Sequence, residues 1–179
     1  MKQGLVLLAL GVVALMVQGV VTQVLPAQLV PDFGLLLVVA IAVCLRGAAS
    51  GVVLAALLGY ATDLLSGSLL GQHALLRMAA YGVARFGSAR LNLRGPLPQA
   101  LFVGLLSVAH AVGLWGLFAF FAADSGTPLL TLRELLLHAL VNGIAGPFVT
   151  QGVGALLGRL GDDEGSQRPL RLEPRSLSL

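Results

Sequence analysis

Residues 50–88 read SGVVLAALLGYATDLLSGSLLGQHALLRMAAYGVARFGS and contain two apolar runs, 50–66 and 70–88, on either side of a short turn. A helix needs about 20 apolar residues to cross the hydrocarbon core of a bilayer, so the second run is adequate and the first is short. Only residues 67–69 separate the two runs, which makes the helices antiparallel neighbours. The stretch therefore predicts a pair of membrane-spanning helices joined by a tight turn.

Four further apolar runs flank this pair, at 4–25, 33–45, 98–121 and 133–158. Hydrophobic residues make up 57% of the chain and charged residues 11%, whereas soluble domains carry about 25% charged residues. The chain has too little charge to cover a water-facing surface. The run at 33–45 would span only about 20 Å as a helix, unless it begins nearer Ala27. The run at 4–25 is longer than the apolar core of a signal peptide, so we interpret it as the first span.

The basic residues follow the positive-inside pattern of a polytopic membrane protein. The gaps at 26–32, 67–69 and 122–132 hold no Lys or Arg, whereas the N-terminus, the alternate gaps and the tail hold nine of the 11: Lys2, Arg46, Arg85, Arg90, Arg94, Arg159, Arg168, Arg171 and Arg175. We therefore predict an all-α integral membrane protein with about six transmembrane helices over residues 1–160 and both termini in the cytoplasm. The charged, Pro- and Ser-rich residues 161–179 predict a disordered cytoplasmic tail.

The positions of the arginines also indicate which surface they meet. They lie at helix ends and in short loops, where they contact anionic lipid headgroups. No basic face is interleaved with aromatic residues, which excludes nucleic-acid binding. The lipid bilayer is therefore the predicted surroundings of the chain.

Polar side chains inside the predicted spans need partners, because a charge at mid-bilayer costs about 2.5–3.5 kcal/mol. His73 and Arg77 are four residues apart and share a helix face. Asp63 lies about one turn before the outer end of the preceding helix, within reach of either. His138 and Asn142 share a face of the last helix. We predict that these five residues form one cluster in the outer half of the membrane, either as an internal network or as a pocket for a partner or small ligand.

The sequence offers no motif for catalysis or for a cofactor. The three histidines lack the H-E-x-x-H spacing of a zinc site, and no nucleophile elbow, P-loop or dinucleotide fingerprint is present. We expect no enzyme, no metal and no cofactor. An intramembrane enzyme using Asp63 and His138 is the weakest alternative.

Two features predict helix packing. Asp32, after Pro31, occupies the position of an N-cap residue whose carboxylate accepts hydrogen bonds from the free amides of the next helix. Small residues recur at every fourth position of the third helix and allow another backbone to approach closely: Gly47, Gly51, Ala55 and Gly59. This face either packs against a neighbouring helix of the same chain or docks the transmembrane helix of a partner.

The stretch GYATDLLSGSLLGQHAL, residues 59–75, resembles the signature of the MreD family of rod shape-determining membrane proteins. Its most specific part is Asp-Leu-Leu-Ser-Gly at 63–67, followed by Leu-Gly-x-x-Ala-Leu at 70–75. Val141-Asn142-Gly143 with Pro147 in the last helix also fits. The resemblance implies structural or docking roles for the matching positions: Pro31, Asp32, Asp63, Ser66, Gly67, Leu70, Gly71 and Asn142.

The resemblance implies a non-enzymatic scaffold and regulator of the bacterial elongation machinery, or elongasome, in the cytoplasmic (inner) membrane. Such a protein maintains rod shape and directs lateral peptidoglycan synthesis. Its implied partner is the bitopic protein MreC, whose complex links MreB filaments to the SEDS glycan polymerase and its class B penicillin-binding transpeptidase. The implied fold resembles the substrate-binding subunit of energy-coupling-factor transporters. The alternative function is therefore a small-ligand-binding subunit of a membrane transporter, because the same fold hosts both roles.

Overall fold

Six α-helices and one short 3₁₀ turn form the computed structural model of the chain, with no strand among the residues that it describes. It describes residues 2–45, 47–67, 69–91, 95–121 and 131–166, the last six as backbone only. Each predicted apolar run contains one helix. The helices are α1 (Lys2–Val21), α2 (Phe33–Cys44), α3 (Ala48–Ser66), α4 (Gln72–Arg90), α5 (Pro96–Phe121) and α6 (Leu132–Ser166), and the 3₁₀ turn Ala27–Leu29 precedes α2.

α2 is the central helix, and it contacts each of the other five. Every residue from Gly34 to Ala42 is buried. Protein rather than lipid surrounds this part of α2, so the helix can be shorter than one that faces the hydrocarbon. Together with the 3₁₀ turn it forms the segment Ala27–Cys44, which is long and apolar enough to cross a membrane. The second span therefore begins near Ala27, which is one of the two possibilities that the sequence left open.

Successive helices alternate in direction. Asp32, at the beginning of α2, accepts a hydrogen bond from Arg77 in the N-terminal half of α4 and donates its backbone N–H to Asn142 in the N-terminal half of α6. These three helices therefore run in parallel. The three other helices run the opposite way, as contacts across them show: Gln18 with Phe33, Gly51 with Tyr81, Gly59 with Ala74, Gly87 with Phe102 and Gly113 with Leu76. We call the two ends of the bundle the Asp32 end and the Arg85 end. α1 begins and α6 finishes at the Arg85 end.

Five segments of the described chain are long and apolar enough to cross a membrane: α1, Ala27–Cys44, α3, α5 and Leu132–Leu160 of α6. The sixth predicted span, α4, is not among them. It carries His73, Arg77, Arg85 and Arg90, whose polarity lowers its mean hydropathy. The chain is thus a helical, multi-pass membrane protein in which α4 is the most polar helix.

The small-residue face of α3 packs inside the chain, against α4. A Cβ on Gly51 would overlap the ring of Tyr81, and a Cβ on Gly59 would overlap the backbone of Ala74. Ala55 is fully buried. The prediction that these residues dock a partner helix is wrong, because α4 already occupies the face. Gly47 is exposed and serves instead as the N-cap residue of α3.

α6 continues to Ser166, six residues past the predicted end of the membrane domain. Gly161 alone does not stop a helix, and the next proline in the sequence is Pro169. The last helix thus extends past the predicted domain boundary at 160. Residues 167–179, the loop 122–130 and the predicted loop arginines Arg46 and Arg94 lie outside the described residues.

Candidate functional site

Asp32 forms the centre of a polar network at the beginning of α2. Its Oδ1 accepts a hydrogen bond from the backbone N–H of Leu35 at 3.0 Å, which confirms the predicted N-cap. The same oxygen accepts from Nη2 of Arg77, also at 3.0 Å. The carboxylate thus caps α2 and neutralises a buried guanidinium on α4. A charge-assisted bond of this kind is about twice as strong as a neutral one.

Arg77 connects α4 to both α2 and α3. Its side chain is 1% exposed, and its Nη1 donates to the carbonyl of Leu58 at 2.9 Å and to the hydroxyl of Thr62. Gly34, in the first turn of α2, makes room for this group, because a Cβ there would overlap the guanidinium. Position 34 therefore needs a glycine because the Arg77 guanidinium occupies the space of a side chain, and not because of the backbone conformation there.

Asn142 brings α5 and α6 into the network. Its Oδ1 accepts from the backbone N–H of Asp32 at 2.8 Å, and its Nδ2 donates to Oγ of Ser107 at 2.7 Å. Gln18 of α1 adds the last helix, because its Oε1 accepts from the N–H of Phe33 at 3.0 Å. We call this set the Asp32 network. Its members come from all six helices: Gln18, Asp32, Leu58, Thr62, Arg77, Ser107 and Asn142.

Asp63 and His73 form a second, separate pair that closes the turn between α3 and α4. Asp63 Oδ1 accepts from the backbone N–H of His73 at 3.1 Å and lies 2.7 Å from His73 Nδ1. Asp63 Oδ2 accepts from the N–H of Gly71 at 2.9 Å. A helix leaves its first amides without internal partners. Asp63, on α3, therefore caps α4 from the preceding helix.

The turn itself explains two glycines of the signature. Gly67 has φ +64° and Gly71 has φ +93°, a left-handed conformation in which a side chain is strained. Gly67 ends α3 and Gly71 precedes α4. Ser66 is the last residue of α3 and Leu70 lies exposed in the turn. The signature thus encodes a fixed turn with a carboxylate on one side and free amides on the other.

The predicted single cluster therefore divides into two sets. Arg77 and Asn142 meet through Asp32, whereas Asp63 pairs with His73. His138 is half-buried and makes no hydrogen bond to either set within the described residues. The cluster divides because one helical turn separates His73 from Arg77 along α4. The two side chains therefore lie against different carboxylates, His73 against Asp63 and Arg77 against Asp32. Pro31 directly precedes the cap, and its carbonyl accepts from the N–H of Phe33 at 3.0 Å.

Arg85 makes the corresponding contact at the other end of α2. Its Nη1 donates to the carbonyl of Ala42 at 3.0 Å and to that of Leu45 at 2.8 Å, where a helix leaves its last carbonyls without internal partners. Between the two arginines, the hydroxyl of Tyr81 donates to the carbonyl of Ala48 at 3.2 Å. α4 thus holds α2 at both ends.

Sequence reasoning missed several members of this arrangement. Gln18 and Ser107 are polar residues inside apolar runs, a signal that could have identified them. Gly34 stands two residues after the N-cap, but nothing in the sequence shows that a guanidinium lies against it. Arg85 was predicted only as one of the basic residues on the cytoplasmic side, because its bonds to the end of α2 depend on how the helices pack.

Apart from Nε of Arg77, which is buried without a partner among the described residues, the charged groups of the arrangement bond to one another or to backbone groups. No three His, Cys, Asp or Glu side chains in the described part of the chain lie close enough to share a metal ion. The carboxylates of Asp32 and Asp63 are each used by several donors. The geometry fixes the relative positions of helices.

The family described as rod shape-determining protein MreD matches residues 1–151. No curated protein and no solved structure matches the chain. The matched range covers most of the chain and contains the whole Asp32 network and the capped turn between α3 and α4. On this evidence the chain belongs to the MreD family of rod shape-determining proteins.

Proposed function

We propose that this protein is a non-enzymatic scaffold and regulator of the bacterial elongation machinery, located in the cytoplasmic (inner) membrane. In this role it maintains rod shape and directs lateral peptidoglycan synthesis. Family membership supports the connection to rod shape. The observation that carries the scaffold role is the Asp32 network, which uses its charged and amide groups to join all six helices to one another.

The proposed topology has six spans with both termini in the cytoplasm. α4 serves as the sixth span because its charges have internal partners: Arg77 bonds to Asp32 and Arg85 bonds to two carbonyls. The alternation of helix direction supports cytoplasmic termini, since Lys2, Arg85 and Arg159 then fall at one end of the bundle. A membrane protein keeps its basic residues on the cytoplasmic side.

The proposed direct partner is the single transmembrane helix of MreC, and through MreC the MreB filaments, the SEDS glycan polymerase and its class B penicillin-binding transpeptidase. Because α4 fills the small-residue face of α3, the partner needs another surface. The groove between α5 and α6 offers one, with a volume of about 450 Å³. Its floor consists of small residues and its rim of exposed leucines: Ala100, Gly104, Ala139 and Gly143, with Leu97, Leu101, Leu105, Leu136 and Leu140.

The dimensions of the groove favour a helix as its occupant. Its α5 wall runs from Leu97 to Val108, which is about 16 Å or three helical turns. All of its lining side chains are apolar. In a bilayer, helices associate through close packing over small residues, because lipid is as apolar as the helices themselves. A single apolar helix fits this surface.

Depletion of the protein in its own host tests the proposed function. We expect cells to become round and new peptidoglycan insertion to disperse, as followed by microscopy and by a fluorescent cell-wall label. Normal rods with unchanged lateral insertion would contradict the scaffold role. Restoring the wild-type chain must restore rod shape, which controls for effects of the depletion itself.

Site-specific photo-crosslinking tests the partner surface. A photoreactive amino acid at Leu101, Leu105 or Leu140 should crosslink to MreC, because these side chains project from the rim of the groove. The matched control positions are Leu5 on α1 and Leu64 on α3, which are similarly exposed. Crosslinks to MreC from the control positions but not from the groove would show that the partner binds elsewhere.

A further inference from the structure

His110 of α5 is a buried polar residue that the Asp32 network leaves unused. It is 5% exposed, and neither of its ring nitrogens has a hydrogen-bond partner among the described residues. A neutral imidazole carries one N–H donor and one acceptor nitrogen. Buried polar groups nearly always have partners in proteins, so His110 calls for a hydrogen-bonding molecule beside it.

A second unpartnered group lies in the same region. Nε of Arg77 is buried without a partner, although the two other guanidinium nitrogens are bonded. Arg77 lies one helical turn after His73 on α4. The His73 ring lies 6.2 Å from the His110 ring, centre to centre. The His110 ring and Nε of Arg77 are thus two buried polar groups without partners among the described residues.

An open cavity lies next to His110. It has a volume of about 360 Å³ and lies at the Asp32 end, between the 3₁₀ turn, α5 and α6. Ala111, the next residue after His110, forms part of its wall. Its polar lining comes from Gln28, Glu134 and His138. The cavity thus carries a polar lining up to Ala111, one residue from His110 on α5, while the His110 side chain itself is not part of the lining.

We propose that this cavity is a hydrated inlet that leads from the Asp32 end to His110 and binds a small uncharged hydrogen-bonding molecule, of which water is the smallest. The charges favour an uncharged occupant. Asp32 and Arg77 neutralise each other, and Glu134 at the mouth repels anions. The lining of the cavity contains no member of the Asp32 network, so the inlet does not rest on the proposed scaffold role.

Thiol accessibility at position 110 tests the inlet. The variant His110→Cys, made with Cys44→Ala to remove the native thiol, is treated with a hydrophilic, membrane-impermeant methanethiosulfonate in membranes whose Asp32 end faces the reagent. The matched control is Leu106→Cys, one turn away on α5 and also buried. We expect position 110 to react at least about tenfold faster, because thiols buried in apolar surroundings are inert.

A blocking variant identifies the route. Adding Ala111→Trp to His110→Cys fills the cavity and should reduce the reaction to the rate of Leu106→Cys, while the yield of folded protein stays unchanged. If position 110 is as unreactive as position 106, the inlet is absent. If Ala111→Trp leaves the rate unchanged, the reagent arrives by another path, and the proposal is equally overturned.

A third test uses the wild-type chain, so it does not depend on whether a substituted protein folds. Diethyl pyrocarbonate is a small uncharged reagent that modifies accessible neutral imidazoles, and mass spectrometry locates the modified residue. We expect modification of His110 as well as of half-buried His138, which serves as the internal reference. Modification of His138 with His110 unmodified in the folded protein would overturn the proposal.

Discussion

α1 and α2 are both strongly apolar helices, yet their surroundings are opposite. α1 buries only a narrow strip, Leu7, Gly11 and Leu15, and exposes most of its other side chains. α2 buries every residue from Gly34 to Ala42. Hydropathy therefore identifies helices that can enter a membrane, but it does not distinguish a lipid-facing helix from a central one.

The polar residues around α2 account for the difference. Lipid is as apolar as a helix, so no hydrophobic effect draws one apolar helix to the centre of a bundle. Asp32 and Arg77 fix the beginning of α2, and Arg85 fixes its end. α1 has one such bond near its end, where Oε1 of Gln18 accepts from the backbone N–H of Phe33. The helix with polar partners at both ends becomes the core.

Breaking the Asp32–Arg77 pair should have the largest effect on this arrangement. Arg77→Met removes the guanidinium and leaves the Asp32 carboxylate without its cation. Removal of one partner from a buried ion pair costs about 3–5 kcal/mol. We expect a free energy of unfolding lower by about that amount in mixed detergent micelles.

Arg90→Met is the matched control for Arg77→Met. Arg90 is an exposed arginine on the same helix, stacked over the ring of Phe86 at 5.4 Å. Its replacement should change stability by less than about 1 kcal/mol. Equal losses from the two variants would show that the Asp32–Arg77 pair does not hold α2.

Glycine-to-alanine substitutions compare the two helices directly. Gly34→Ala in α2 forces the Arg77 guanidinium to move and should cost about 1–3 kcal/mol, as overpacking does in a core. Gly19→Ala in α1 meets no atom within 4 Å and should be neutral or slightly stabilising, since alanine favours the helix. Thermal unfolding of both variants in detergent measures the difference. A stable Gly34→Ala variant would contradict the close fit of Gly34 against Arg77.

Loss of the Arg85 contact should have the smallest effect of the three. Arg85→Met removes the donors to the carbonyls of Ala42 and Leu45, and we expect a loss of about 1 kcal/mol. Arg85 is half-buried, so water replaces part of the lost bonding. Hydrogen exchange should show faster opening of the last turn of α2, with the Asp32 end unchanged. Faster exchange at both ends would mean that the two contacts are not separate.

The helices and one helix cap could be predicted from the sequence because these features depend on local residues. Each apolar run contains a helix, and Asp32 caps α2 as its position indicates. The central position of α2 could not be predicted, because an all-apolar helix presents no distinct face. The sequence also could not show whether α4 or a partner covers the small residues Gly51 and Gly59.

The polar site was predictable in its residue types and only partly in its pairs. Asp63 was within reach of His73 and Arg77 alike, and the choice between them depends on how far α3 and α4 overlap. Asp32 was predicted as a cap but not as the partner of Arg77, since the contact crosses two intervening helices in the sequence. Long-range pairs of this kind depend on packing, which a single sequence does not display.

The capping of α4 by the Asp63 carboxylate has a consequence for membrane insertion. α4 is not among the five segments that are apolar enough to cross a membrane, and Arg77 would enter the hydrocarbon without its carboxylate partner Asp32 if α4 moved alone. Asp63 covers the first amides of α4 as soon as the turn forms. We therefore expect α3 and α4 to leave the insertion machinery together as a hairpin, with α2 already in place to receive the arginines.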